Sequence, residues 1–290
     1  MAQNGSRPGM PSQLIMEDVH NRGDERRIPI DQVGVSDVHY PIVVLDRDRR
    51  QQHTIARLSM AVNLPHHVKG THMSRFIEVL NEYQGEITMP ALPVVLRQLK
   101  ERLKADYARI EVTFPYFLER VAPESGARAL MDYECSFWGE LNGDQEDFIL
   151  RVRVPLASLC PCSKQISDYG AHNQRGFVTI EVRPTRSAEG TPSVIWIEDL
   201  VEIAESSASA PVYPLLKRPD ERYITMQAYD NPAFVEDIVR EAARLLERDQ
   251  RVSWFRVQVV NHESIHNHNV FACVEWSRSK FPQPKLGFAA

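Results

Sequence analysis

From Gln52 to Val62 the chain alternates polar and apolar residues, the period-two pattern of a half-buried strand. Tyr40–Leu45 before it also reads as a strand, with Asp46–Arg50 as a charged hairpin tip. Two helical patterns follow. In the first, Phe76, Ile77, Leu80 and Tyr83 share one face and Ser74 is placed as the cap; in the second, Pro90 opens a helix to about Ala105 with Leu92, Val95, Leu96, Leu99 and Leu103 in a stripe. Two long strand-like runs, Tyr107–Phe117 and Ala127–Trp138, are joined by a turn at Glu124-Ser125-Gly126.

The order then recurs. Phe148–Pro155 and Phe177–Val182 read as strands and Ile197 to about Ser206 as a helix. Asn231-Pro232 opens another helix, with proline at the first helical position and Phe234, Ile238, Ala242 and Leu245 as its buried stripe. Val252–Val260 and Val270–Trp276 close the chain as strands. Strand-strand-helix-helix-strand-strand thus occurs twice, in units at 37–145 and 146–290. Strands flanking paired helices imply an α+β layout with antiparallel sheets and the helices on one face. Residues 1–36 are polar and rich in Gly, Pro and charge, and read as a flexible arm.

The 290 residues are 43% hydrophobic, enough for a substantial core. A formal charge of −5 and a pI near 6.1 argue against a nucleic-acid partner. Four cysteines do not make a disulfide framework, so a cytoplasmic setting is expected. The first residues lack the apolar region of a secretory signal, and no apolar run approaches the roughly 20 residues of a membrane span.

Chemistry concentrates in three polar stretches. Cys160–Gly176 holds Cys160 and Cys162 around Pro161, with His172 ten residues after the second thiol. Its Gly, Asn, Asp and Ser content marks irregular backbone, and thiolate with imidazole suits zinc and its neighbours. The same pair also reads as unrelated thiols, a redox pair or half of a structural zinc site. Cys135 and Cys273 lie alone in strand-like runs, where cysteine acts as a small hydrophobe. Asn261–Asn269, between the last two strands, contains three histidines and Glu263, a density that favours a site over a plain turn. Tyr213–Arg222 has two prolines and a charge run and reads as a surface loop. His66–Phe76 supplies three histidines with Lys69 and Arg75 before a helix, which fits an anion-binding loop as well as ordinary capping. Glu236 sits where a carboxylate favours a helix N-terminus, so capping alone accounts for it.

Taken together, Ser158–Lys164, Gly170–Gly176, Leu215–Glu221 and Asn261–His266 resemble GTP cyclohydrolase IB, and Lys69–Arg75 is similar to that family's N-terminal motif. The resemblance runs from about residue 34 to the end. It implies the tunnelling fold, built of ββααββ units, and a homotetramer with sites at subunit boundaries. The reaction it implies converts GTP and water to 7,8-dihydroneopterin triphosphate and formate. That path calls for a Lewis acid, movable protons, a carboxylate for guanine and cations for triphosphate. By matching motifs, Cys160, His172 and Glu221 are implied as metal ligands. Cys160, Cys162, Glu263 and His266 are implied as catalytic groups, with the division of labour between the two thiols left open. Glu236 is implied as the purine anchor. Lys69, His72, Arg75, Lys164, Arg175, Lys217 and Arg218 are candidates for the triphosphate. The implied cofactor is one divalent metal per site (zinc, manganese or iron(II)), with no organic cofactor.

Two other readings compete. One is a second purine or pterin enzyme of the same fold, such as a 7-deazaguanine nitrile reductase, with a nucleophilic cysteine and NADPH. The other is a non-catalytic zinc-binding structural protein, which needs four protein ligands rather than an open position.

Overall fold

The computed structural model describes residues 20, 22–83, 88 and 91–278. Strands β1 (Ile30–Asp46) and β2 (Arg50–Leu64) form a long hairpin; helices α1 (Ser74–Glu82) and α2 (Leu92–Leu103) follow, then β3 (Tyr107–Val121) and β4 (Arg128–Asn142). The second half runs β5 (Gln145–Leu159), α3 (Pro161–Ile166), β6 (Asn173–Pro184), α4 (Ile197–Ser206), β7 (Ala210–Pro211), α5 (Arg218–Asp230), α6 (Val235–Arg248), β8 (Val252–Asn261) and β9 (Val270–Ser277). A two-residue turn at Gly143-Asp144 pairs β4 with β5, so the halves share one antiparallel sheet in the order β1-β2-β3-β4-β5-β6-β8-β9; β7 pairs with β5.

The alternation in the sequence becomes the two faces of this sheet. Val38, Leu58, Val112, Phe137, Leu150, Val182, Phe255 and Trp276 stand in register across eight strands and form an apolar row. One residue along, His39, Arg57, Thr113, Ser136, Arg151, Glu181, Arg256 and Glu275 form a polar row on the other face. Helices α1, α2, α4 and α6 cover the apolar face, whereas α3 and α5 add nothing to this core. Buried Val95, Leu96 and Leu99 of α2 and Ile238, Val239 and Ala242 of α6 join the strand residues in one core that spans both halves.

Several elements differ from the sequence reading. β1 begins at Ile30, inside the stretch read as an arm; its first eleven residues are mostly exposed, so burial leaves little alternation there. Residues 1–19 of that expected arm, and Pro90, lie outside the described residues. In α1 the N-cap is Met73, Ser74 is already helical, and Val79 is buried where Ile77 is partly exposed. In α6 the helix starts at Val235, its cap comes from Asp237 accepting the Phe234 amide, and Leu246 replaces Leu245 in the buried stripe. Cys135 is buried, which raises its thiol pKa well above the ordinary value, whereas Cys273 is exposed on β9 and accepts from Arg256.

The largest difference is α5. Pro219 falls in its first turn, where a missing amide costs nothing. Fully buried Asp220 accepts from the Lys217, Glu124 and Ser125 amides and from the Ser125 hydroxyl. Burial by itself would raise the Asp220 pKa; the Ser125, Lys217 and Glu124 donors outweigh it and hold the carboxyl well below the usual range. One side chain thus ties the start of α5 to the β3–β4 turn.

Candidate active site

Because the strands are antiparallel, β5, β6, β8 and β9 bring the end of β5, the start of β6, the end of β8 and the start of β9 to one end of the sheet. Ser158 stands opposite Gln174, Leu159 opposite Asn173, and Gly176 opposite Asn261. The Cys160 amide then donates to the His172 carbonyl at 3.1 Å, so the two residues face each other just beyond the ladder. Twelve positions of sequence separation reduce to one backbone hydrogen bond.

The Cys160–Gly176 stretch is less irregular than its composition implied. Pro161–Ile166 forms the short α3, and Asn173 already belongs to β6. Cys160 is the N-cap of α3, and its Sγ accepts from the Ser163 amide at 3.4 Å. The Ser163 hydroxyl accepts from the His172 amide at 3.2 Å.

A cavity of about 260 Å³ opens at this end of the sheet. Cys160, His172 and Gln174 line one side, Glu263, His266 and His268 another, and Phe234, Val235 and Glu236 of the α6 start a third. Ser158, Asn261, Ala233 and Val270 complete the lining. Five residues marked from the sequence therefore meet: Cys160, His172, Glu236, Glu263 and His266. The His266 and His268 rings stack at 5.1 Å and 19°.

The floor is tied together by a buried polar chain. Asn261 Nδ2 donates to Ser158 Oγ at 3.0 Å, and Ser158 Oγ donates to the Ala233 carbonyl at 2.9 Å. The Ala233 amide donates in turn to the Leu159 carbonyl at 3.1 Å. Ser158 has a single proton and the Ala233 carbonyl can only accept, so the Asn261 atom facing Ser158 must be the amide nitrogen. Asn261 Oδ1 lies over Gly176, where a Cβ would come within 2.2 Å; only glycine allows this approach. This chain joins the strand that precedes Cys160, the connection carrying Glu263 and the start of the helix carrying Glu236.

Other candidates lie elsewhere. Cys162 is exposed on α3 and does not line the cavity, so the two thiols have separate surroundings. Lys164 reaches the Tyr229 carbonyl and sits 4.2 Å from that ring's centroid. Arg175 is exposed on β6 and its carbonyl accepts from His262. Lys217, Arg218 and Glu221 are exposed around the start of α5, which the Asp220 clamp places at the same end of the sheet but outside the cavity lining. Among the described residues no three His, Cys, Asp or Glu side chains gather as a metal-holding group.

Lys69, His72 and Arg75 follow the end of β2, which pairs with the start of β3 and so lies with the end of β4 and the start of β5 at the opposite end of the sheet. The 15 residues of β5 separate the two ends, roughly 50 Å at about 3.3 Å per residue. His20 and Arg22 lie against this loop: the Gly70 and Lys69 amides donate to the His20 and Arg22 carbonyls, and the His20 and His72 rings lie 4.7 Å apart. Arg75 donates to the Arg102 carbonyl at the end of α2.

Residues 16–272 match the family model described as type I GTP cyclohydrolase folE2. The chain belongs to the FolE2 family of type I GTP cyclohydrolases. It is 54% identical over 261 residues to GTP cyclohydrolase FolE2 of Syntrophotalea carbinolica, covering 90% of this chain and 95% of that protein. It is 52% identical over 260 residues to that of Nitrosococcus oceani, with coverage of 90% and 95%. Among solved structures it is similar to uricase from Arthrobacter globiformis, with a TM-score of 0.52 at 9% identity over 88% of this chain and 96% of that one. It is also similar to urate oxidase from Bacillus sp. TB-90, with a TM-score of 0.50 at 10% identity over 86% and 100%. These likenesses bear on the fold alone, which is the tunnelling fold expected from the motifs.

Gln174 and Ser264 were not singled out in the sequence, although both lie inside the family motifs. His172 Nδ1 is 3.0 Å from Gln174 Oε1 and 3.2 Å from Ser264 Oγ, and Gln174 Nε2 donates to Glu263 Oε1 at 3.2 Å. Their side chains are uncharged, and a scan for ionisable clusters passes over them.

Proposed function

We propose that this FolE2 chain converts GTP and water to 7,8-dihydroneopterin triphosphate and formate, the entry step to tetrahydrofolate. The observation that carries the reading is the convergence of Cys160, His172, Glu236, Glu263 and His266 on one cavity in a chain of this family. Membership of that family removes the nitrile reductase and the purely structural zinc protein as alternatives.

Ala233, Phe234, Val235 and Val270 give the cavity apolar surface against which a purine can lie. Glu236 accepts from guanine N1–H and the exocyclic amine together, a charge-assisted bidentate pairing. Glu263 and His266, on the connection between β8 and β9, take up and return protons as the imidazole ring opens and formate leaves. Cys160 and His172 would hold a divalent metal (zinc, manganese or iron(II)), their sulfur and nitrogen fitting such an ion; Glu221, outside the cavity lining on α5, is the third ligand only by its match to the family motif. When bound, such an ion would supply Lewis-acid activation for the attack of water on the purine. Lys217 and Arg218, at the same end of the sheet, belong to the triphosphate path; Cys162, implied by the motifs as a catalytic group, lies outside the cavity lining.

Purified protein given GTP with manganese or zinc is expected to release formate and a fluorescent pterin, and a chelator to abolish both until a divalent ion is restored. Full turnover after metal removal would sink the metal assignment, and absence of pterin under every metal would sink the reaction.

Lys69, His72 and Arg75 can serve this cavity only from another copy, because the length of β5 separates them from it within one chain. We read the active form as a homotetramer with sites at subunit boundaries, acting in the cytoplasm; no described helix is long and apolar enough to cross a membrane. Among the described residues β1 and β9 are the edge strands of the sheet, and open edges favour pairing between copies. Mixing inactive His72→Ala and Cys160→Ala proteins under subunit exchange is expected to restore part of the activity. No recovery despite demonstrated exchange would place the whole site in one chain.

A further inference from the structure

We propose that Gln174 is a positioning residue: it fixes which nitrogen of His172 carries the proton and holds Glu263 in line with that ring. The proposal rests on the reading of His172 as a metal ligand and Glu263 as a proton carrier. The Gln174 amide lies between the two, with Oε1 3.0 Å from His172 Nδ1 and Nε2 3.2 Å from Glu263 Oε1.

The assignment follows from donor and acceptor chemistry. A primary amide has one accepting end and one donating end, and a carboxylate only accepts. The end toward Glu263 is therefore NH2, and the end toward His172 is the carbonyl. A carbonyl cannot donate, so the proton of neutral His172 sits on Nδ1. Ser264 Oγ, 3.2 Å from the same nitrogen, acts as a second acceptor. Nε2 is left with its lone pair, the state in which imidazole binds a metal. The backbone of His172 is already held by the Ser163 hydroxyl and the Cys160 amide. Without Gln174 the ring keeps only Ser264 Oγ at Nδ1, and a hydroxyl that donates as readily as it accepts leaves the tautomer unfixed. A proton on Nε2 would block that atom as a ligand.

One amide thus does two things. It keeps His172 Nε2 open, and it keeps a proton-handling carboxylate at a set distance from the ligand ring. The two functions separate by substitution. Gln174→Leu removes both contacts, and Gln174→Asn shortens the side chain by one methylene and loses reach to both. Gln174→Glu keeps an acceptor for His172 but faces Glu263 with a second carboxylate.

The test uses the full chain, with fold checked by thermal melting. Long-range proton–nitrogen correlation spectra of histidine-labelled, metal-free protein report the tautomer, with the His172 signal identified by its loss in His172→Ala. Competition against a chromophoric chelator gives zinc and manganese affinity. Wild type is expected to show the Nδ1–H form. Gln174→Leu, or Gln174→Asn if the leucine variant does not fold, is expected to shift toward Nε2–H and weaken metal binding about 10- to 100-fold. Gln174→Glu is expected to keep the Nδ1–H form and metal affinity within about twofold while kcat falls about tenfold or more. An unchanged tautomer and unchanged metal affinity in Gln174→Leu and Gln174→Asn overturn the proposal. A wild-type chain that binds no metal instead overturns the ligand reading of His172, and the tautomer measurement still decides the role of Gln174.

Discussion

Glu236→Gln is expected to lower kcat/KM for GTP by about 30- to several-thousand-fold, the equivalent of the 2–5 kcal/mol lost when one partner of a desolvated charge-assisted pair is removed. Glu236 is exposed in the free chain, in the first turn of α6 at the cavity wall. It becomes desolvated only when a purine covers it. Glutamine presents an amide donor where guanine also donates, so one of the two hydrogen bonds turns into a clash of donors. The same substitution costs the helix at most about 0.3–1 kcal/mol of dipole interaction, and α6 keeps its Asp237 cap. Activity and stability therefore part company. A variant that retains wild-type kcat/KM would leave Glu236 as a helix-end charge and nothing more.

His266→Ala is expected to bind metal and nucleotide as the wild type does while kcat falls about 10²- to 10⁴-fold, the range for loss of a positioned acid or base. His266 lies on the cavity rim in the eight-residue connection between β8 and β9, stacked on His268. It is exposed, so truncation leaves no core cavity and no buried orphan. The connection itself is anchored by Asn261 through Ser158, which the substitution does not touch. Single-turnover measurements with saturating GTP separate the chemical step from binding. Loss of metal from the variant would reassign His266 as a ligand, and an unchanged kcat would remove it from the chemistry.

The apolar periodicity carried most of the fold. Strands such as Arg50–Leu64 bury alternate residues, and helices such as Leu92–Leu103 bury one stripe, so local pattern and tertiary burial agree. It failed where burial is sparse. In α5 only Asp220 and Ala228 are buried, and the helix is held by hydrogen bonds to a turn more than 90 residues away. No window of sequence contains that partner, and two prolines with a charge run looked like a loop. The early part of β1 escaped for a related reason, since its exposed residues show no clean alternation.

The sequence by itself determined the two faces of the sheet, the family, and the residue types that the chemistry requires: soft ligands in Cys160–His172, a carboxylate at the start of α6, and histidines with Glu263 between the last strands. These depend on local pattern or on ordered motifs, which a linear chain displays in full. Tertiary structure alone decided which of them meet. Antiparallel register sets Cys160 against His172 and Gly176 under Asn261. It also puts Lys69, His72 and Arg75 at the far end of the sheet from the cavity, and it leaves Cys162 outside while Cys160 lines it. The role of Gln174 belongs to the same category. Its meaning lies in the two partners its amide faces, His172 two residues before it and Glu263 some ninety residues after it, and hydrogen-bond direction exists only once all three are in place.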